Sequence, residues 1–558
     1  MRSAHDLHPD LLRDIAAWTE QDPDQRMRQR VNDLLTAAAE GSEPAVAELT
    51  DAFTSRLEFG TAGLRGALGP GPNRMNRVVV GQAAAGLATY LLDQGLAGGR
   101  VIIGYDARHE SDVFARDTAE ILAGAGFGAM VTTGPLPTPV VAFGIRHFDC
   151  VAGVVVTASH NPPQDNGYKV YLGDGSQIVP PVDGEISARI LEVSKHELSD
   201  VPRSPVYSTV DDELVTAYVD RAASLVAPEA PRAVDWVYTP LHGVGGSLVK
   251  RVVALAGFPP GTVVAEQAAP DPDFPTVSFP NPEEAGAIDL ALTRADEVGA
   301  DLVIANDPDA DRCAVATVVD GAWRMLSGDE LGALLGDDAL RRGVPGTYAC
   351  SIVSGSLLET MAAAHGRPFV YTLTGFKWIG RVPGLAFGYE EAIGYCVDPA
   401  AVPDKDGISA LVRVLALAAE LKAAGSSLAG RLDEIATRYG VFETAQLSVR
   451  VDDLSLIADA MARLRADPPD ALDDQPVEVT DLADGNADLP PTDAVLLAGE
   501  SVKVVVRPSG TEPKLKCYLE ARQPADSSTP LIQARRRVRA RLARLRAEMS
   551  TVLGLDAG

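Results

Sequence analysis

VAGVVVTASHNPPQDNGYK, residues 151–169, joins an apolar run of six residues to a short polar loop centred on Ser159. Such a run, bounded by turn-forming residues, reads as a strand buried on both faces, and in open α/β sheets the loop at a strand's carboxyl end is where ligands bind. A serine held there is a candidate for chemistry. A serine after a strand is equally a common turn or helix cap, so the position alone leaves both readings open. Working outward, helical and strand patterns alternate along most of the chain, with strand candidates at residues 101–104 and 129–133 and a helical pattern at 112–122. That alternation predicts α/β domains. A chain of 558 residues is too long for one core. The pattern breaks suggest a helical extension over 1–56, α/β units over 57–204, 205–325 and 326–440, and a smaller α+β unit over 441–558, in which residues 467–493, rich in Pro and Asp, read as loop.

Three further segments carry chemistry. In DLVIANDPDADR, residues 301–312, a short apolar run ends in Asp307, Asp309 and Asp311. In extended chain alternate side chains point the same way, so the three carboxylates converge and demand a cation. Oxygen ligands without His or Cys favour Mg²⁺ or Ca²⁺ over zinc. An EF-hand is excluded because its sixth and twelfth positions, Gly and Glu, are Arg312 and Val318 here. A solvated acidic turn is the plain alternative. GYEEAIGY, residues 388–395, followed by Pro403-Asp-Lys405-Asp406-Gly407, pairs acids with glycines, which suits recognition of sugar hydroxyls. SVKVVVRPSGTEPK, residues 501–514, runs from a strand pattern into a loop whose Arg507, Ser509, Gly510 and Thr511 suit phosphate. The Walker A spacing is absent.

Taken together, TASHNP, DPDADR, GYEEAIG and RPSGTEPK resemble, in order, the phosphoserine, metal, sugar and phosphate loops of the α-D-phosphohexomutases. The resemblance extends to residues 59–66, 104–108, 239–243 and 374–377 and covers most of the chain from about 57 to 520. It implies three α/β domains and a smaller C-terminal α+β domain around a central cleft, and a phosphosugar mutase working in two halves. Phosphorylated Ser159 gives its phosphate to a sugar monophosphate, and the resulting bisphosphate turns round and returns its other phosphate. Mg²⁺ on Asp307, Asp309 and Asp311 also touches the Ser159 phosphate. The resemblance further implies Lys169 as general acid or base, its pKa lowered in a dry site, and Arg65 and Arg312 orienting phosphoryl oxygens. Thr374, Gly375, Lys377, Glu390 and Lys405 fall on the sugar side, and Arg507, Ser509, Gly510 and Thr511 hold the phosphate that is not reacting. His160 either orients phosphate or fixes the loop. A sugar bisphosphate such as glucose 1,6-bisphosphate is the expected activator, and the phosphate-loop domain is expected to move as a lid.

Ala392 stands where many hexomutases have Ser, removing one hydroxyl from the sugar pocket and relaxing discrimination. The expected substrates are glucose and mannose phosphates, with phosphopentoses or a sugar bisphosphate synthase reaction as alternatives. A metal-dependent sugar phosphatase and a non-catalytic sugar-phosphate sensor are the readings from other classes.

Composition narrows the partners. A net charge of −28 and a pI near 4.7 argue against nucleic-acid and anionic-membrane surfaces. The arginines of residues 531–550 (535, 536, 537, 539, 541, 544 and 546) invite a nucleic-acid reading, but Val538, Leu542, Leu545 and Met549 repeat at helical spacing, which favours a packed face with paired arginines. GAGFGA, residues 124–129, matches a dinucleotide fingerprint but precedes a strand instead of following one, so it reads as a helix stop. Five dispersed cysteines, no secretory leader and no apolar stretch of 18 residues predict a cytoplasmic protein with reduced thiols, and the expected assembly, which these features do not decide, is a monomer or homodimer.

Overall fold

A computed structural model of the protein describes residues 7–58, 63–210, 212–450, 455–509 and 514–554. The helical extension is three helices, Pro9–Gln21, Gln25–Ala39 and Glu43–Thr54. Asp24 and Ser42 cap the second and third by accepting from Arg26 N and Ala45 N. Their inner faces bury Ile15, Trp18, Val31, Leu49 and Phe53 against Val78 and Leu198 of the next unit.

The first sheet has the order Leu64–Ala67, Asp165–Leu172, Ala152–Val156, Arg100–Tyr105, Gly128–Thr132, Ser208–Val210. Ala152–Val156, buried at every position, lies parallel to Arg100–Tyr105 and antiparallel to Asp165–Leu172. The Ser159 loop is therefore the tip of a broad hairpin, and the pairing of Val155 with Lys169 places Lys169 at its base. Ser208–Val210 pairs parallel to Gly128–Thr132, so the first sheet runs past the boundary expected at 204. This three-residue segment, Ser-Thr-Val, gains its partner across the sheet, which local pattern does not reveal.

The second sheet has the order Ala322–Met325, Ala314–Val319, Leu302–Ala305, Trp236–Thr239, Thr262–Val263. Its acidic loop follows Leu302–Ala305, which pairs antiparallel with Ala314–Val319. In the third, Phe369–Thr372, Thr347–Ser351 and Leu385–Glu390 are parallel neighbours and Gly394–Cys396 turns back on the last. The fourth is antiparallel throughout: Gly440–Arg450, Lys514–Pro524, Val502–Pro508, Val495–Ala498, Glu478–Asp481. The stretch 467–493, expected to be loop, contains this last strand and a short hairpin, because Val477 and Val479 find the core of the fourth unit.

The final helix, Leu531–Val552, buries Ala534, Val538, Leu545 and Met549. Its arginines pair outward: Arg535 with Asp433, Arg539 with Glu443, Arg541 and Arg544 with Asp473. One apolar cluster runs without a break from Ile102 through Trp236, Leu334 and Leu415 to Tyr439, uniting the first three units. The fourth has its own core around Leu447, Val504 and Leu545 and meets the third through a small cluster of Ile352, Val353, Leu373, Leu482 and Tyr518.

Candidate active site

Ser159 sits at φ 52°, a left-handed conformation that costs a serine energy and survives only where its surroundings over-determine it. They do. Ser159 N donates to Thr157 Oγ1 at 2.8 Å, whose hydroxyl donates to Asp106 Oδ2 at 2.6 Å. Arg108 closes the loop, with Nη2 donating to Ser159 O at 2.6 Å and Nη1 to Pro162 O at 2.8 Å and Asp165 O at 3.1 Å. The Ser159 hydroxyl is thereby aimed at the second unit, where it donates to Asp307 Oδ2 at 2.7 Å.

The three aspartates do converge, but not by strand alternation. The chain leaves Ala305 and turns, with Ala310 at φ 53°. Three neighbouring segments hold this turn. Val244 N donates to Pro308 O at 2.8 Å, Gly407 N to Ala310 O at 3.2 Å and Thr138 N to Asp309 O at 3.0 Å. A Cβ on Gly243 would lie 2.4 Å from Pro308 Cα, and one on Gly407 2.2 Å from Arg312 O, so both contacts require glycine. Asp307, Asp309 and Asp311 are fully buried, with one oxygen of each inside a 4.8 Å circle. Asp309 Oδ1 and Asp311 Oδ1 are buried without a hydrogen-bond partner. Orphaned inward oxygens in an all-oxygen set fit a hard divalent cation.

Burial, with Asp309 and Asp311 beside it, pushes the Asp307 carboxyl well above the usual range. Burial opposes ionisation of Asp309 and Asp311 too, yet both are held below it by cations: Lys169 Nζ stands 2.8 Å from Asp309 Oδ2 and 2.9 Å from Asp311 Oδ2, and Lys405 Nζ 3.1 Å from Asp311 Oδ2. For Lys169 this corrects the expected lowering. Burial does push its pKa down, but the two carboxylates outweigh burial and the pKa is raised. Lys405, expected on the sugar side, bonds to the carboxylate cluster, with its ammonium 5.8 Å above the Phe376 ring.

Around Ser159 the structure gathers positive charge. Arg65 Nη1 donates to Asn161 Oδ1 at 3.1 Å, while Arg65 Nε and Arg312 Nε are buried without a hydrogen-bond acceptor, the latter 3.7 Å from Asp311 Oδ1. His160, whose Nδ1 lies 3.3 Å from Ser159 Oγ, is held well below its ordinary pKa by burial and then by Arg312 and Arg65. A neutral imidazole between two crowded guanidiniums is a pocket shaped for an anion.

On the far side, Glu390 ends its strand buried, raised by burial against the pull of Lys405 and Arg312. Ala392 is partly exposed, Thr374 and Gly375 follow the Phe369–Thr372 strand, and Gly375 is at φ 107°. Lys377 lies over the Trp378 ring at 6.0 Å and not on the carboxylates. Arg507 ends its strand with its guanidinium bonded to Tyr518, and Ser509 N donates to Lys514 O at 2.8 Å. Gly510 and Thr511 fall outside the described residues.

Sequence reading gave no individual role to Asp106, Arg108, Thr138 or Glu283, and took Glu391 only as one of the paired acids of the sugar loop. Glu283 is exposed, with Arg312, Lys516 and Glu390 as its charged neighbours. The paired acids at 283–284 were its only signal.

Four family models match successive parts of the chain between residues 56 and 529. Phosphoglucomutase/phosphomannomutase alpha/beta/alpha domains I, II and III match residues 56–197, 216–319 and 327–439, and the C-terminal domain matches 447–529. A probable phosphomannomutase of Haemophilus influenzae is 48% identical over 468 residues, 82% of this chain and 96% of its own. The human phosphopentomutase is 36% identical over 579 residues, 93% of each chain. Among solved structures, a phosphoglucomutase/phosphomannomutase family protein from Burkholderia thailandensis superposes with a TM-score of 0.68 at 19% identity, over 88% of this chain and 97% of its own.

Proposed function

This chain belongs to the phosphoglucomutase/phosphomannomutase family and is a phosphosugar mutase, and we propose that it interconverts hexose 1-phosphate and hexose 6-phosphate, of glucose or mannose, through phosphorylated Ser159. The observation that carries this reading is the Ser159 hydroxyl, aimed at Asp307 at 2.7 Å, with Lys169 bridging Asp309 and Asp311 beside it.

Arg65 and Arg312, whose Nε atoms make no hydrogen bond, receive oxygens of the phosphoryl group being moved. Mg²⁺ held by Asp307, Asp309, Asp311 and an oxygen on Ser159 would neutralise charge on the transferring group. Lys169 and Ser159 sit on adjoining parts of one hairpin, which keeps a proton carrier next to the reacting hydroxyl. With its ammonium form favoured by two carboxylates, Lys169 acts first as acid, and takes a proton only when its hold on them loosens. Glu390 and the Thr374-Gly375 turn read sugar hydroxyls, while Arg507 and its loop hold the idle phosphate. The bound bisphosphate reverses and returns a phosphate to Ser159, and glucose 1,6-bisphosphate primes the enzyme. Five buried free cysteines fit a cytoplasmic enzyme, and nothing in the cycle requires more than a monomer or homodimer.

A pentose reading has its own support. Ala392 offers the pocket no hydroxyl, and the human relative is a phosphopentomutase. Both readings are tested by following 1-phosphate to 6- or 5-phosphate conversion of glucose, mannose, ribose and deoxyribose phosphates, with Mg²⁺ and bisphosphate. Conversion lost by more than about 1,000-fold in Ser159→Ala supports the mechanism, and the ranking of kcat/KM names the sugar. Release of inorganic phosphate without isomerisation would overturn it.

A further inference from the structure

The second acid of the sugar loop points away from the carboxylate cluster. Glu391 Oε2 accepts from Ser351 Oγ at 3.1 Å and Ser354 Oγ at 3.3 Å, and Glu391 N donates to Ser354 Oγ at 3.2 Å. A Cβ on Gly328 would lie 1.8 Å from Glu391 O, so the loop is seated between a helix start and the 351–356 turn with no slack. That turn is gripped from its other side by the C-terminal unit. Lys503 Nζ donates to Ser354 O at 2.8 Å, and Glu520 accepts from Ser356 N at 2.5 Å and Ser356 Oγ at 2.6 Å. Arg522 Nη1 donates to Ser356 Oγ at 2.8 Å. Between them, Asp329 takes Gly355 N at 2.7 Å and Tyr389 OH at 2.9 Å with Oδ1, and Thr444 Oγ1 at 2.8 Å with Oδ2. Ser351, Ser354, Ser356 and Glu520 are buried, where charge-assisted bonds are worth most. Even Gly355 is close-fitted, since a Cβ there would stand 3.2 Å from Thr444 and 3.3 Å from Glu520.

One turn of six residues is thus bonded on one face to the sugar loop and on the other to the C-terminal unit. We propose that Glu391 is a positioning residue for Glu390 and that its placement is set by Lys503 and Glu520 through the 351–356 turn, so that docking of the C-terminal unit and recognition of the sugar are linked. The inference rests on the mutase reading above. Glu391 touches no reacting atom; it fixes where Glu390 stands. Because the C-terminal unit also carries Arg507, a sugar phosphate whose idle phosphate draws that unit in also finds its hydroxyl reader in place. A ligand without a sugar gains only the first contact.

The test is a double-mutant cycle read in binding. Glu391→Gln, Lys503→Met and the double variant are made in the Ser159→Ala protein, and affinities for glucose 6-phosphate and for inorganic phosphate are measured by calorimetry at pH 8 with Mg²⁺. The expected result is about tenfold weaker glucose 6-phosphate binding in each single variant, the double variant no weaker than either, and inorganic phosphate affected only by Lys503→Met. Additive losses, or equal losses for the two ligands in Glu391→Gln, overturn the coupling; a purely structural role would lower Tm without producing either pattern. If the protein with Ser159 intact isomerises no sugar phosphate, the mutase reading fails and this inference with it. If it does, and the cycle is additive, only the inference fails. Glu520→Gln, which keeps the shape of the side chain, serves in place of Lys503→Met should that variant not fold.

Discussion

At the scale of single residues, the site depends on how a strained serine is held. Ser159 stays at φ 52° because Arg108 forks across four carbonyls of its loop, those of Ser159, Asn161, Pro162 and Asp165, a geometry that a lysine ammonium does not reproduce. Arg108→Lys is expected to lower kcat by about a hundredfold with KM nearly unchanged, since the proposed sugar contacts lie on other loops and only the reacting hydroxyl is misaimed. Steady-state kinetics on a hexose 1-phosphate decides this, and a rise in KM alone would contradict it. Asp22 makes a different residue-scale point. It lies buried between the first two helices, Oδ1 taking Asp24 N at 2.9 Å and Oδ2 unpartnered, and burial pushes its pKa up to about 6. A carboxyl whose folded pKa exceeds its unfolded value favours the fold at low pH and loses that contribution as pH rises through the folded value. Asp22→Asn should therefore stabilise the protein by up to about 2 kcal/mol above pH 6, with the gain vanishing by about pH 4. Calorimetry at pH 4 and pH 8 reads the difference, and equal Tm shifts at both would refute it.

At the scale of elements, the metal turn is shaped by its neighbours more than by its own sequence. Gly243 and Gly407, from two other segments, press against Pro308 and Arg312 at distances no side chain permits. Gly407→Ala must push the turn away from the Gly407–Ala423 helix start. It should weaken Mg²⁺ binding by more than about tenfold while the apolar core stays intact, because a shift of a few tenths of an ångström spoils carboxylate convergence before it spoils packing. Titration of activity and of intrinsic fluorescence with Mg²⁺ measures this. An unchanged midpoint would mean that the turn holds itself.

For the molecule as a whole, the distribution of cores sets what moves. Three units share one apolar cluster, whereas the fourth has its own core and meets the third through smaller contacts, the cluster around Ile352 and Tyr518, Ala436 against Val441 and Val538, the Arg535–Asp433 ion pair and the turn at 351–356, and Gly440 at φ 111° lies at the junction. Motions follow the weakest interface. Limited proteolysis is expected to cut between the third and fourth units, more slowly with glucose 1,6-bisphosphate bound. A cleavage pattern indifferent to the sugar would count against a closing C-terminal unit.

The candidate site residues were legible in the sequence because each lies in a short contiguous motif whose residue types admit few uses: a serine after a buried run, three alternating aspartates, paired acids beside glycines, an arginine-serine-glycine loop. The alternation of periods likewise determined the α/β class, since side-chain periodicity is a local property. What only the tertiary structure decided are the relations between motifs. Local pattern did not announce the strand Ser208–Val210, the turn that replaces strand alternation at 306–311, Lys405 seated on Asp311, or the raised pKa of Lys169. Each of these depends on what another part of the chain, often more than a hundred residues away, places against it. A side chain's chemistry is written in its own atoms, but its charge state and aim are set by the field and contacts of neighbours that only folding brings together.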